Sequence, residues 1–184
     1  PKPRHRAQEE LFGWLVKGWT SVGPEPSPTN PQVWAFERLK RTADEAEIVR
    51  LVRGHRLPWE VVVPSARKMT PAVWRALLED MPYMALLRNL ATMDRHGVFA
   101  DAAVLRDVAR RIADPSAVRR SKQFPFRFFN AYQAFPGDQA LKDALAEALE
   151  RSFQNVEPLR GRVCVANDVS GSMGKRASKK GAAR

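Results

Sequence analysis

Cysteine is nearly absent. Cys164 stands alone among 184 residues, so no internal disulfide framework holds the chain, and a reducing cytoplasm suits it. Histidine is as scarce: three residues, scattered over different stretches, give no zinc-ligand spacing. Neither a Ser-His-Asp arrangement nor a phosphate-binding P-loop is visible, and the chain reads as non-catalytic. No apolar run approaches the ~20 residues of a membrane span. No amphipathic stretch has the polarity of a membrane anchor, and PKPRHRAQEE lacks the apolar core of a signal peptide. Carboxylates are outnumbered, with 20 Asp and Glu against 31 Lys and Arg and a formal charge of +11. Such an excess calls for a polyanionic partner: RNA, DNA or an anionic surface. At 44% hydrophobic residues, the chain has enough apolar surface to fold around a core.

Helical periodicity dominates what is present. The central stretch runs from Thr70 to Val98. Thr70 suits an N-cap and Pro71 a first turn, and Trp74, Leu77, Leu78 and Met81 repeat on one face. After Pro82 a second helix puts Leu86, Leu87, Leu90 and Met93 inside and Arg88, Thr92 and Arg95 on another face. This is one unit of a helical repeat with an outward basic stripe. Upstream, Gln8 to Trp19 reads as a helix, and Thr20 to Pro31, with four prolines and a glycine, as a loop. Val33, Phe36 and Leu39 mark the next helix. Asp44 suits the cap of another, with Gly54 as its stop. His55 reads either as a phosphate or base contact or, more simply, as a polar residue near a helix end. Arg67 and Lys68 stand just ahead of the central pair.

Downstream, a helix from about Asp101 to Ile112 carries Arg106 and Arg110 outside. The segment VRRSKQFPFRFFNAYQAF then interleaves Arg119, Arg120, Lys122 and Arg127 with five aromatics. Cations among rings suit single-stranded nucleic acid, since cations track phosphates and rings stack on bases. Yet Phe126, Phe129 and Tyr132 (or Gln133) also have the spacing of a core face, which is the reading taken for them. Leu141, Leu145, Leu149 and Phe153 run down one side of a last helix, whose exterior bears Asp143, Glu147 and Glu150. Residues 1–158 thus read as an α-solenoid of irregular HEAT-like helix pairs. From Gly161 the character changes. Arg162-Val-Cys-Val-Ala reads as a buried parallel strand that holds Cys164 away from any base. Asp168, Ser170 and Ser172 follow as hard-oxygen ligand candidates for Mg²⁺ or a similar cation. Residues 159–174 make this second unit, and 175–184 a basic, disordered tail.

This D-x-S-x-S run after an apolar strand resembles the metal site of von Willebrand factor A domains. Together with WLVKGW, ERLKRTADEAEIVRLVRGHRL, VWRALLEDMPYMALLRNLATM, FPFRFFNAYQAF and FQNVEPLRGRVCVANDVSGSM, it resembles the Ro autoantigen, or TROVE-domain, family. The resemblance implies a ring of HEAT-like repeats closed by an A domain. It also implies binding of structured Y RNAs on a basic surface and of single-stranded 3′ ends of misfolded RNA through a central hole, with an exoribonuclease such as polynucleotide phosphorylase as a bacterial partner. The family's first repeats and the rest of its A domain, with a threonine and a second aspartate ligand, lie outside these 184 residues. A ring, or a loaded cation site, would therefore need the remainder of the protein or another copy, and Asn167 stands where an apolar strand residue is expected.

The expectation is a non-catalytic binder of structured RNA and free 3′ ends, with Lys68, Arg88, Arg95, Arg119, Arg120, Lys122 and Arg127 as phosphate contacts. Two alternatives stay open. One is a metal-dependent interaction module on Asp168, Ser170 and Ser172, completed by a partner carboxylate. The other is a basic scaffold for DNA or an acidic protein.

Overall fold

Proline and capping residues cut this chain into short helices. A computed structural model describes residues 5–158, 160–164 and 166–170. Among them are α1 (Arg6–Lys17), α2 (Pro31–Leu39), α3 (Glu45–His55), α4 (Trp59–Ser65) and α5 (Pro71–Asp80). There follow α6 (Tyr83–Arg95), α7 (Ala102–Ala113), α8 (Pro115–Ser121), α9 (Pro125–Ala134) and α10 (Gln139–Ser152). Pro31, Pro71, Pro115 and Pro125 each open a helix, where the missing N–H costs nothing. Side chains of Asp44, Thr70, Asp101, Asp114 and Asp138 accept backbone N–H bonds at helix starts, satisfying donors that would otherwise be orphaned. The stop of α3 falls two residues later than expected. Gly54 is helical, and Arg56 takes the left-handed conformation (φ 49°) with its head on Asp80.

The chain alternates between two layers. In one, α2 touches α4, and α6 touches α8 and α9; in the other, α3 packs on α5 and α7 on α10. The core between them holds Trp74, Leu86, Leu90, Met93, Ile112, Phe128, Leu141 and Leu145, all essentially inaccessible to solvent. Arginines tie neighbouring helices end to end. Arg67 donates to the Lys40 carbonyl just after α2 (2.9 Å), and Arg111 donates to the carbonyls of Leu78 (2.7 Å) and Met81 (3.0 Å) at the end of α5. Arg151 of α10 donates to the Ala113 carbonyl, which ends α7. Each closes carbonyls that have no partner within their own helix. Gly137 stands where α6 meets the α9–α10 turn. A Cβ there would lie 2.7 Å from the Asp94 carboxylate and 2.6 Å from the Phe135 ring.

Two sequence expectations shift. Phe128 is the core residue of α9 at 0% exposure, whereas Phe126 (52%) and Phe129 (48%) stand in solvent. An apolar helix has more than one stripe at helical spacing. Here packing against α6 and α10 selects the stripe through Phe128 and Phe135, with Tyr132 half-buried beside it. Second, residues 160–164 and 166–170 form no strand, and Cys164 is exposed rather than buried. A strand is held by ladder bonds to a neighbour, and no second strand is present among the described residues.

At the N-terminal end, α1 is fastened by carboxylates. Glu37, almost fully buried, accepts hydrogen bonds from Trp14 Nε1 (2.9 Å) and Lys40 Nζ (2.7 Å). Burial pushes its pKa up, but those two bonds outweigh it and hold the carboxyl below its usual range. Glu10 gathers the 22–30 loop, accepting from Ser27 (2.6 Å), Thr29 (2.5 Å), Asn30 (3.2 Å) and Arg6 (3.2 Å). Those bonds, Ser27's foremost, lower its pKa from 4.5 to about 2. A depressed carboxylate contributes its stabilisation above pH 4.5 and loses it as pH falls toward about 2. Proteolysis of the 22–30 loop should therefore accelerate as pH is lowered through that window, and Glu10→Gln should abolish the acid dependence. A loop cleaved equally fast at every pH would contradict this anchoring.

Candidate nucleic-acid interface

The two layers treat their charges differently. On the α3–α5–α7–α10 layer five cations are matched by carboxylates, while Arg50, Arg106 and Lys142 make no ion pair within 4 Å among the described residues. Arg53 pairs with Glu79 (2.6 Å), Arg56 with Asp80 (3.0 Å) and Arg75 with Asp101 (3.1 Å), and Arg110 and Arg151 pair with Asp107 and Glu147. Exposed pairs of this kind contribute only ~0–1 kcal/mol each. Their clearer consequence is to neutralise that face. Arg56 lowers the pKa of Asp80 in the same exchange.

The α6–α8–α9 side is unmatched. From Pro115 to Ala134 the chain holds Arg119, Arg120, Lys122 and Arg127 and no carboxylate. Helix α8 ends on Arg119 and Arg120, which favourably meet its negative C-terminal end. Lys122 then takes a left-handed conformation (φ 51°) that turns the chain into α9. All four are exposed, and none makes an ion pair within 4 Å among the described residues. The acid that precedes this run in sequence is Asp114, the cap of α8. Its pKa is lowered first by the N–H of Ala117 and further by the charges of Arg120 and Arg151.

Arg88 and Arg127, far apart in sequence, line one cleft of about 220 Å³ between α6 and α9, along with Met84, Asn130, Ala131 and Ala134. The Arg127 guanidinium lies 5.0 Å from the centre of the exposed Phe126 ring. Phe124 (53% exposed) and Phe129 are bare on the same helix and its N-terminal turn. The sequence pattern points to the right segment here, but the core spacing it offers for Phe126 and Phe129 is not the one the fold uses.

The remaining candidates separate. Arg95 lies back along its own helix, donating to the Ala91 carbonyl (3.3 Å) and Thr92 Oγ1 (3.1 Å). Lys68 is exposed in the α4–α5 turn, outside the α6–α9 cleft. Arg106 is exposed, and Arg110 is paired with Asp107. His55, half-buried at the end of α3, packs its ring 5.7 Å from that of Trp34, and His96 lies 5.9 Å from Trp74. Asn89 is buried and donates to the Ala85 carbonyl (2.9 Å), a structural role.

Asp168 accepts the backbone N–H of Ser170 (2.9 Å), a bond that leads in lowering its pKa. Both residues are exposed, and Ser172 lies outside the described residues. Mg²⁺ demands a near-octahedral oxygen shell. One carboxylate and one hydroxyl do not fill it, and no cluster of three acidic, His or Cys groups occurs among the described residues. The fit to a cation is incomplete.

Two layers of short alternating helices, with a carboxylate-free basic stretch over α8 and α9, define a helical-repeat protein. The TROVE domain model matches residues 49–155, and the chain belongs to the TROVE-domain family. It is 30% identical over 190 residues to the RNA-binding protein RO60 of Deinococcus radiodurans, a match covering 94% of this chain and 34% of that protein. With the RNA-binding protein RO60 of Caenorhabditis elegans it shares 33% identity over 159 residues, or 79% of this chain and 24% of that one. The crystal structure of the Deinococcus radiodurans RO (RSR) protein superposes with a TM-score of 0.72 at 27% identity, over 86% of this chain and 34% of that chain. The chain therefore spans about a third or less of the length of these relatives.

If charge placement governs anion binding, two variants with the same loss of formal charge should behave differently. Arg119→Ala/Arg120→Ala/Lys122→Ala should leave a heparin column at clearly lower salt than Arg53→Ala/Arg56→Ala/Arg75→Ala. Coincident elution would mean that only total charge matters.

Proposed function

We propose that this chain is a non-catalytic RNA-binding module of the Ro type, which takes structured small RNA of the Y RNA kind and the single-stranded 3′ ends of misfolded RNA. One observation carries the reading: the acid-free, unpaired run of cations on α8 and α9, continued by Arg88 across the α6–α9 cleft, on a chain whose opposite layer pairs Arg53, Arg56 and Arg75 with carboxylates. The naming of its relatives as RNA-binding proteins supports it.

Mechanistically, Arg88, Arg119, Arg120, Lys122 and Arg127 neutralise phosphates and release counterions, with Lys68 and Arg95 at the margin. Shape and free ends, rather than base-edge readout in a groove, set selectivity. Bare Phe124, Phe126 and Phe129 add stacking surface, which favours unpaired strands over duplex. An exoribonuclease such as polynucleotide phosphorylase is the partner that such a module would feed. The von Willebrand-like strand at 162–166 and cation binding at Asp168, Ser170 and Ser172 depend on the remainder of the protein, or a partner, supplying neighbouring strands and the missing oxygen ligands.

The test compares a hairpin RNA with a 3′ tail, the same hairpin blunt, and matched DNA, each across a salt series. The tailed RNA should bind tightest, with log K falling by about 0.7–0.9 per log unit of salt for each phosphate contact. Equal, weak binding to all three would replace this reading with a generic basic scaffold.

A further inference from the structure

The α6–α9 cleft has a composition that phosphate neutralisation alone leaves unexplained. Its walls are apolar, with Met84 and Leu87 from α6 and Ala131 and Ala134 from α9, yet two arginines, Arg88 and Arg127, line it from opposite helices. A site for phosphate alone has no use for that apolar wall, and a site for an apolar protein side chain has no use for two unpaired cations. A nucleotide uses both. We propose that the cleft receives one unstacked nucleobase of single-stranded RNA, with the phosphates flanking it held by Arg88 and Arg127. The proposal rests on the RNA-binding reading above.

Size agrees with a single ring system. At about 220 Å³, the cleft lies below the ~300 Å³ at which pockets for drug-sized ligands begin. Asn130 stands among the lining residues, exposed and with no hydrogen-bond partner among the described residues. Its side-chain amide offers both a donor and an acceptor to the edge of a base. Phe126 and Phe129, spaced i, i+3 on α9, are neighbours on the helix surface. Arg127 joins Phe126 to the cleft, because this residue lines the cleft while its guanidinium lies 5.0 Å from the centre of the Phe126 ring. A strand leaving the cleft along α9 would thus find aromatic faces for its next base, the arrangement that sequence-tolerant single-strand binders use. Duplex RNA cannot enter, since its bases are already stacked and paired.

The experiment uses the 184-residue chain and a hairpin RNA carrying either a uridine 3′ tail or the same tail made abasic, so that the phosphates are kept and the bases removed. The unmodified chain should bind the abasic tail roughly tenfold or more weakly, as loss of a stacked base requires. Ala134→Phe fills the cleft without changing charge. It should bind both tails alike, with the salt slope for the hairpin and the thermal melting curve unchanged. Asn130→Leu, at an exposed position, is a second way to block the rim and should narrow the same gap. Equal affinity of the unmodified chain for the two tails overturns the cleft and leaves the cationic-face reading standing. So does a gap retained by both variants. Failure to bind either RNA overturns both.

Discussion

The array depends on arginines that reach across from one element to the open end of another helix. A short helix leaves several carbonyls without partners at its C-terminus, and helices of 7 to 14 residues have a large share of their backbone in that condition. Arg67 satisfies the carbonyl that ends α2, Arg111 two at the end of α5, and Arg151 the one that ends α7. Tyr83 adds a further bond to Ile112 (2.7 Å), so the end of α7 is held from α6 as well as from α10. A hydrogen bond from a charged donor is worth ~1.5–3 kcal/mol, more than an exposed ion pair. These few contacts therefore hold the stacking register of the layers more firmly than the more numerous surface salt bridges do.

That structural use of arginine bears on function. A chain with a formal charge of +11 does not present all of it to a partner. Some cations close helix ends, and others neutralise carboxylates on the α3–α5–α7–α10 layer. Of those left over, Arg119, Arg120, Lys122 and Arg127 lie in a carboxylate-free stretch over α8 and α9, with Arg88 on the facing helix α6; Arg50, Lys68, Arg106 and Lys142 stand singly elsewhere. An anion approaching this molecule meets one basic side and one balanced side, and beside the basic one it meets bare phenylalanine rings. In water, a lone exposed phenylalanine is unremarkable. Three around an acid-free cationic helix pair make a chemically coherent surface.

Much of the fold was legible in the sequence, because helix starts are written locally. Thr70 with Pro71, Asp44, and Asp138 after Gly137 each place a cap by a hydrogen bond that involves only neighbouring residues. The apolar faces of α5 and α6 follow from spacing alone. What the sequence could not disclose was tertiary. Nothing local distinguishes Arg111, which closes α5, from Arg106, which faces solvent earlier on the same helix. The phase of α9 was equally hidden, since its aromatic residues supply two helical stripes and only α6 and α10 decide that Phe128 goes inside. The pairing of Arg88 with Arg127 across a cleft is invisible along the chain. A missing carboxylate between Pro115 and Ala134 was the one sequence signal that could have located the basic face. Its weight comes from contrast with the other layer, where Arg53, Arg56 and Arg75 each face a carboxylate.

The central claim is that one side of the array, and not the other, meets RNA. Hydrogen–deuterium exchange of the chain with and without a saturating tailed hairpin RNA tests it directly, because peptides from the two layers are resolved separately. Protection confined to α6, α8, α9 and their connecting turns, with α3, α5 and α10 unchanged, is the result this account predicts. Protection on α3, α5 and α10 with α8 and α9 unaffected would contradict it.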